Sequence, residues 1–226
     1  MSKAAQPAEW EDGYIHLDTF EQAVRKNWHR LKRCGLVTCL RPGMSVLDLC
    51  CGRGSTLSPL VSFGARVVGL DLSHSLLRLA RQNGVEALVL ADSSVLPFRS
   101  DSFDAVVVQG GLHHLWFDQF ERTLSEIDRV LKPRGLFAFT EPANTLALRL
   151  YVALVDSPLA SLISYTRNWR KTLEHERGTY FHWLRAQDRA IALIRSRMDA
   201  LRMERGVVTM FGLARSRKSA GGEGNE

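Results

Sequence analysis

Between Ser45 and Thr140 the sequence alternates short apolar runs with segments of helical periodicity, and few architectures can absorb that alternation. The runs are Ser45–Cys51, Arg66–Leu72, Ala87–Ala91, Phe103–Gln109 and Gly135–Thr140. They are too short for core helices and too continuously apolar for strands with one wet face. Each therefore predicts a strand buried on both faces. The stretches between them, Gly54–Phe63, Ser73–Gln82 and Gln119–Leu131, predict helices. Ser73 stands as the cap of the second, and Lys132-Pro133-Arg134-Gly135 is a stop after the third. Strands alternating with helices pack as a parallel sheet with right-handed crossovers, so the expected fold is a doubly wound α/β sheet.

The flanks read differently. Residues 18–33 predict a helix that Asp18 can cap, with Phe20, Val24, Trp28 and Leu31 on one stripe, and Arg41-Pro42-Gly43 breaks the chain after it. After Pro142 the pattern turns mostly helical to about residue 200, apolar at first and then charged and aromatic. Val207–Ala214 predicts a terminal strand, with a weaker one at Leu201–Glu204. Residues 1–9 and about 216–226 are polar or Gly-rich and read as disordered tails.

Composition excludes several classes. Of 226 residues, 45% are hydrophobic and 24% charged, an ordinary globular balance. The most apolar stretch, Leu146 to Ile163, is interrupted by Arg149 and Asp156, so no membrane span is expected. The N-terminus lacks an apolar signal core, and Cys34, Cys39, Cys50 and Cys51 form neither a disulfide framework nor a zinc ribbon; a reducing cytoplasm is the expected location. The net charge of +6 is uneven: residues 1–143 hold 16 basic and 16 acidic side chains, residues 144–226 hold 14 and 8.

The first strand runs into Asp48-Leu49-Cys50-Cys51-Gly52-Arg53-Gly54. Glycines there let a ligand approach the backbone, and the next helix offers free N–H groups. A dinucleotide fingerprint would need a third glycine where Leu57 stands, so that pattern fails. Asp48 would repel a pyrophosphate but suits an ammonium group, which points to a nucleoside joined to an amino acid. Asp71, at the end of the second strand, can accept from both ribose hydroxyls, and Asp92, after the third, can take an adenine amino group. Each aspartate alone could be a helix cap; three at successive strand ends are harder to explain that way.

At this point the sequence resembles the class I S-adenosylmethionine-dependent methyltransferases, in particular the small-molecule group that includes the ubiquinone/menaquinone C-methyltransferases. VLDLCCGRG resembles their glycine loop, VVGLDLS their ribose segment, ADSSVLPFRSDSFDAVVVQGGLHHL their third and fourth motifs, and LSEIDRVLKPRGLFAFTEP their last helix and fifth strand. Cys50 stands where many members have a first glycine. The resemblance covers about residues 44–142 and implies S-adenosyl-L-methionine as cofactor and S-adenosyl-L-homocysteine as product; no metal is expected anywhere in the chain. The resemblance implies that Asp48, Cys50, Gly52 and Gly54 frame the methionine end, that Asp71 holds the ribose and Leu72 packs on adenine. Asp92 and Ser93 would reach the adenine edge, with Gln109 and Gly110 beneath the sulfonium. It also implies a Rossmann-like, seven-stranded sheet, mostly parallel with one antiparallel C-terminal strand, and a helical cap inserted after strand 5. One domain results: a lid helix (1–43), a cofactor-binding core (44–142), a cap (143–185), a C-terminal helix and strands (186–215) and a tail.

Displacement at a sulfonium methyl needs orientation and a dry site, and a base only where the acceptor must lose a proton. His113 and His114, at the mouth of the fourth strand, are the candidates, with Glu141 a further one; each could instead be a loop or helix-start residue. His175 and His182 with Glu174 and Glu176 do not make a metal site by spacing. The position that relatives acting on exocyclic base amines fill with an Asn/Asp-Pro-Pro-aromatic turn reads Gln109-Gly110-Gly111-Leu112, which counts against nucleic acid. Acceptor choice is expected in the first helix and the cap: Tyr14 and His16 as a lid, and Trp169, Arg170 and Arg177 from an aromatic and basic segment. The expected acceptor is a small apolar or aromatic molecule, with an anionic group as an open variant. The alternatives are an RNA or protein methyltransferase using Arg185, Arg189, Arg195, Arg197, Arg202 and Arg205, or a non-catalytic module that senses the cofactor or scaffolds a partner. Oligomeric state is not legible.

Overall fold

The computed structural model of the protein describes residues 18–157 and 164–219, without the side chains of 164–169, 171, 172, 174 and 175. Its elements are α1 (Phe20–Cys34), α2 (Leu36–Cys39), β1 (Ser45–Leu49), α3 (Leu57–Ser62), β2 (Arg66–Asp71), α4 (His74–Gln82), β3 (Leu88–Leu90) and β4 (Phe103–Gln109). A 3₁₀ turn at Leu112–His114 leads to α5 (Phe117–Val130), β5 (Leu131–Pro142), α6 (Leu146–Asp156), α7 (Ser164–Arg197), β6 (Met198–Arg205) and β7 (Thr209–Ser216).

The strands form one sheet in the order β3-β2-β1-β4-β5-β7-β6. The pairs from β3 to β5 are parallel, and β7 runs antiparallel between β5 and β6. The strand order reverses between β1 and β4, so the crevice where open α/β sheets bind ligands lies at the carboxyl ends of those two strands. Both faces are covered, as the apolar runs require. Leu47, Leu49, Val106, Val108, Phe137 and Phe139 pack with Phe120, Leu124 and Ile127 of α5 and with Trp183 and Ile194 of α7. Val46, Ala105, Val107 and Ala138 pack with Leu31 and Cys34 of α1, Leu36 of α2, and Phe211 and Leu213 of β7. Each large side chain so buried contributes about 1.5–3 kcal/mol.

Local chemistry sets the boundaries. Thr19, one residue after the expected Asp18, caps α1. Its hydroxyl accepts from the Gln22 N–H while the Gln22 side chain accepts from the Thr19 N–H. Ser73 caps α4 as expected. Helix α3 starts at Leu57 rather than Gly54, because Gly52 (φ 53°) and Gly54 (φ 84°) hold the preceding turn left-handed. Strand β1 ends at Leu49, and Cys50 sits in that turn at φ 59°. The Lys132-Pro133-Arg134-Gly135 stop ends α5 at Val130, yet it lies inside β5. The pairing steps from Phe103↔Leu131 to Ala105↔Leu136, and Arg134 at φ 59° absorbs the irregularity.

The cap is α6 and the first part of α7. Helix α7 runs unbroken for 34 residues, so it crosses position 185, where the sequence suggests a division. It is moored to the end of β5. Trp183 Nε1 and Gln187 Nε2 both donate to the Pro142 carbonyl (3.0 and 2.7 Å), and Asn144 donates its N–H to Gln187 Oε1 and its side-chain amide to the Leu184 carbonyl. No helix among the described residues is long and apolar enough to cross a membrane.

Candidate active site

Three groups of side chains meet at the carboxyl edge. The first surrounds the turn after β1. Asp71 ends β2 and reaches back: its Oδ2 accepts from the Gly52 N–H (2.8 Å) and its Oδ1 from the Ser73 N–H (2.9 Å). From the other side α1 contributes Asn27, whose amide donates to the Ser55 and Thr56 hydroxyls. The turn is thus fixed before any ligand arrives. Asp48 is buried beside it, and neither of its carboxylate oxygens has a hydrogen-bond partner. Burial, and then the neighbouring Asp71 charge, pushes the Asp48 carboxyl well above the usual carboxylate range.

The second group is on β4 and β5. Gln109 pairs in register with Thr140, and Asp48 with Val107, so Asp48, Gln109 and Thr140 share one face of adjoining strands. Both polar atoms of the Gln109 amide and the Thr140 hydroxyl are buried without partners. Buried polar groups are nearly always satisfied, and an orphan costs about 1–3 kcal/mol. Five orphaned atoms on Asp48, Gln109 and Thr140 therefore mark a place built to be filled by a polar ligand. The cofactor that the sequence resemblance implies, S-adenosylmethionine, would fit this set: its ammonium would answer Asp48 and its positive sulfonium would suit an acidic rim. Cys50 lies in the turn after β1. Burial raises its thiol pKa well above the ordinary value, and the charges of Asp71, Glu141, Asp48 and Asp92 raise it further, so it is no thiolate nucleophile. Its side chain faces Gly111, where an added Cβ would stand 2.6 Å from Cys50 Cβ.

The third group centres on Glu141, at the end of β5. Its carboxylate accepts from the N–H groups of Gly111 (2.9 Å), Leu112 (2.8 Å) and His113 (3.3 Å), and its Oε2 lies 2.7 Å from His113 Nδ1. Glu141 therefore shapes the loop that carries both histidines. Helix α7 brings Glu176 from above: its Oε2 is 3.6 Å from His113 Nε2 and its Oε1 4.0 Å from His114 Nδ1. The Tyr180 ring stands edge-on to His113, centroids 5.6 Å apart. Burial disfavours a charged His113, but the hydrogen bond to Glu141 and the nearby Glu176 carboxylate outweigh this and raise its pKa to about 9. Burial first, and then the adjacent His113, lower His114 to about 4.

The remaining expected site residues are spread around these groups. Asp92 is exposed two residues beyond β3, and its Oδ1 accepts from the Ser94 N–H and hydroxyl. Ser93 is buried with its hydroxyl against Thr123. Leu72 is 51% exposed at the crevice edge. Gly110 adopts φ 74° and donates its N–H to the Thr140 carbonyl. Arg177 forms a two-pronged ion pair with Asp156 (3.1 and 2.9 Å) on the outer surface. Arg170 is half-buried on α7. Tyr14, His16 and the side chain of Trp169 lie outside the described residues. Sequence reading does not join Glu176 or Tyr180 to the His113–His114 pair, since only the path of α7 brings them there.

Comparison with known proteins gives the family. A family described as "Methyltransferase domain" matches residues 47–139. An uncharacterized methyltransferase of Synechocystis sp. is 34% identical over 151 residues, covering 64% of this chain and 70% of the relative. A demethylmenaquinone methyltransferase of Clavibacter sepedonicus is 35% identical over 161 residues, covering 64% of each chain. The crystal structure of a SAM-dependent methyltransferase from Aquifex aeolicus has the same fold, with a TM-score of 0.58 at 17% identity over 93% of this chain and 98% of that one. With the motifs, the sheet order and these relatives in agreement, the chain belongs to the class I S-adenosylmethionine-dependent methyltransferases.

Proposed function

We propose that the chain methylates a small apolar or aromatic molecule held between the loop after β4 and the cap. The observation that carries this reading is the closure of α7 over that loop. Tyr180 packs on His113, and Trp183 and Gln187 fix the helix to Pro142. A site roofed in this way suits a compact guest better than a polymer. The basic C-terminal part gives little support to a polyanion: Arg197, Arg202 and Arg205 are paired with Glu121, Glu204 and Asp188. Relatives named demethylmenaquinone methyltransferases point the same way.

The cofactor supplies an already activated methyl group, so the protein's task is orientation and exclusion of water. Asp48 would hold the ammonium, and Gln109 and Gly110 would lie beneath the sulfonium. Asp71 would bind the ribose while bracing Gly52. Leu72 would pack on the adenine, with Asp92 and Ser93 at its edge. His113 and His114 would face the acceptor, oriented by Glu141 and Glu176.

Calorimetry with S-adenosylmethionine and S-adenosylhomocysteine tests the cofactor site. A methyl-transfer assay over a metabolite extract, read by mass spectrometry for products heavier by one CH₂, tests the acceptor class. Labelling confined to RNA or protein would overturn the small-molecule reading.

A further inference from the structure

We propose that His113, His114 and Glu176 form a binding site for one divalent first-row transition cation at the mouth of β4. One ligand atom from each of the three lies within 4.8 Å of the others, His113 and Glu176 buried and His114 half-buried. The separations of 3.6 Å (His113 Nε2 to Glu176 Oε2) and 4.0 Å (His114 Nδ1 to Glu176 Oε1) are long for hydrogen bonds. They are close to what one ion requires. Ligands at about 2.1 Å from a common centre stand roughly 3–4 Å apart, so three ligand atoms that lie within 4.8 Å of one another would draw together by up to about 1 Å to hold one ion.

The surroundings are those of a metal site as well. A ligating histidine almost always gives its other ring nitrogen to a carboxylate or carbonyl, which fixes the ring and its tautomer. His113 does so: its Nδ1 meets Glu141 at 2.7 Å, and Glu141 is itself held by three backbone N–H groups. Nε2 is therefore aimed at Glu176. Two imidazoles and one carboxylate suit zinc, cobalt or ferrous iron better than magnesium or calcium. Three protein ligands leave a coordination position open, as catalytic rather than structural sites do. That position would face the acceptor and polarise one of its oxygens. Because one ligand comes from α7 and two from the core, the ion would also tie the cap shut.

The sequence-based expectation of no metal covers the whole chain but weighs only His175 and His182, and the proposed site departs from it. Of these, His182 lies against the Trp116 ring, centroids 4.9 Å apart, and the side chain of His175 is not among those described.

The test uses the full chain, stripped with a chelator and dialysed against Zn(II). We expect one equivalent bound per chain, and a visible d–d absorption after loading with Co(II). Glu176→Gln, which keeps the shape of the side chain, should lower Zn(II) affinity at least tenfold, and so should His114→Ala. Glu141→Gln should lower it by about 10–100-fold, as loss of an orienting partner does. Far-UV circular dichroism and S-adenosylhomocysteine affinity are followed on the same samples. Absence of saturable Zn(II) uptake by wild type, or equal uptake by a folded Glu176→Gln variant, would overturn the metal site. Retained S-adenosylhomocysteine binding in that event leaves the methyltransferase reading standing, so the two failures are distinguishable.

Discussion

Asp48 and Asp71 are two buried carboxylates on neighbouring parallel strands, and the backbone satisfies only one of them. Asp71 accepts an N–H on each oxygen, while neither oxygen of Asp48 has a partner. The difference separates a residue that builds the turn from one held ready for a ligand. The raised pKa of Asp48 means that the folded chain keeps a proton there at pH values where the unfolded chain has lost it. Folding stability therefore falls as pH rises, from the ordinary carboxylate range up to the raised folded value. Asp48→Asn removes that loss. The ligand-free variant should melt higher than wild type at neutral pH, by scanning fluorimetry, yet bind S-adenosylmethionine roughly ten- to a hundredfold more weakly, the worth of a charged hydrogen bond of about 1.5–3 kcal/mol. Cofactor affinity of wild type should rise with pH across the same window, and that of the variant should not. A variant that is both less stable and unimpaired in binding would refute the assignment.

Asp71→Ala should behave in the opposite way. It strands the Gly52 and Ser73 N–H groups and uncouples the turn from β2. Stability should drop by about 1–3 kcal/mol even without ligand. Cofactor affinity should drop too, because the left-handed turn at Cys50 and Gly52 is no longer braced. Calorimetric melting of the ligand-free protein decides: an unchanged transition would mean that Asp71 contacts the ligand without supporting the fold.

Glu141→Gln probes the loop that carries both histidines. A neutral amide offers one acceptor oxygen where the carboxylate uses two, so at least one of the Gly111, Leu112 and His113 N–H groups loses its partner. Charged hydrogen bonds of this kind contribute about 1.5–3 kcal/mol each, and the loss should appear as a lower denaturant midpoint. Hydrogen exchange at residues 111–113 should quicken more than at β1. Uniform quickening across the sheet would instead indicate general destabilisation.

Much of this arrangement is legible in the sequence, for identifiable reasons. Buried parallel strands must be apolar on both faces, so the order of β1 to β5 is readable, and residues at strand ends are exempt from that rule, so Asp48, Asp71 and Gln109 stand out. Local signals mislead where tertiary pairing overrides them. Pro133 and Gly135 read as a break, yet β4 and β7 pair with Leu136 to Thr140 beyond them and the strand absorbs the kink. Asp92 reads as a strand-end residue, but β3 stops at Leu90 and the carboxylate stands two residues further on, where it also accepts from Ser94. The Glu176 contact has no local signature at all. It depends on where a 34-residue helix lands after leaving α6, and no spacing in the sequence encodes that.

The cap's basic residues allow a last discrimination. The charge of residues 144–226 leads one to expect an anion-binding role at both Arg170 and Arg177. Arg177, however, is exposed, paired with Asp156 and stacked near Phe181. Exposed pairs of this kind contribute about 0–1 kcal/mol and would have to break to receive a ligand. Arg177→Ala should therefore leave the acceptor's KM within about twofold, with a stability change inside about 1 kcal/mol. Arg170 is half-buried, two turns nearer the start of α7. If the acceptor carries an anionic group, Arg170→Ala should raise its KM tenfold or more, equivalent to about 1.4 kcal/mol, without altering S-adenosylmethionine affinity. Steady-state kinetics with the identified acceptor at two salt concentrations makes the comparison. An equal rise in KM for both variants would move the anion site out to the α6–α7 surface, and no change in either would remove it from the cap.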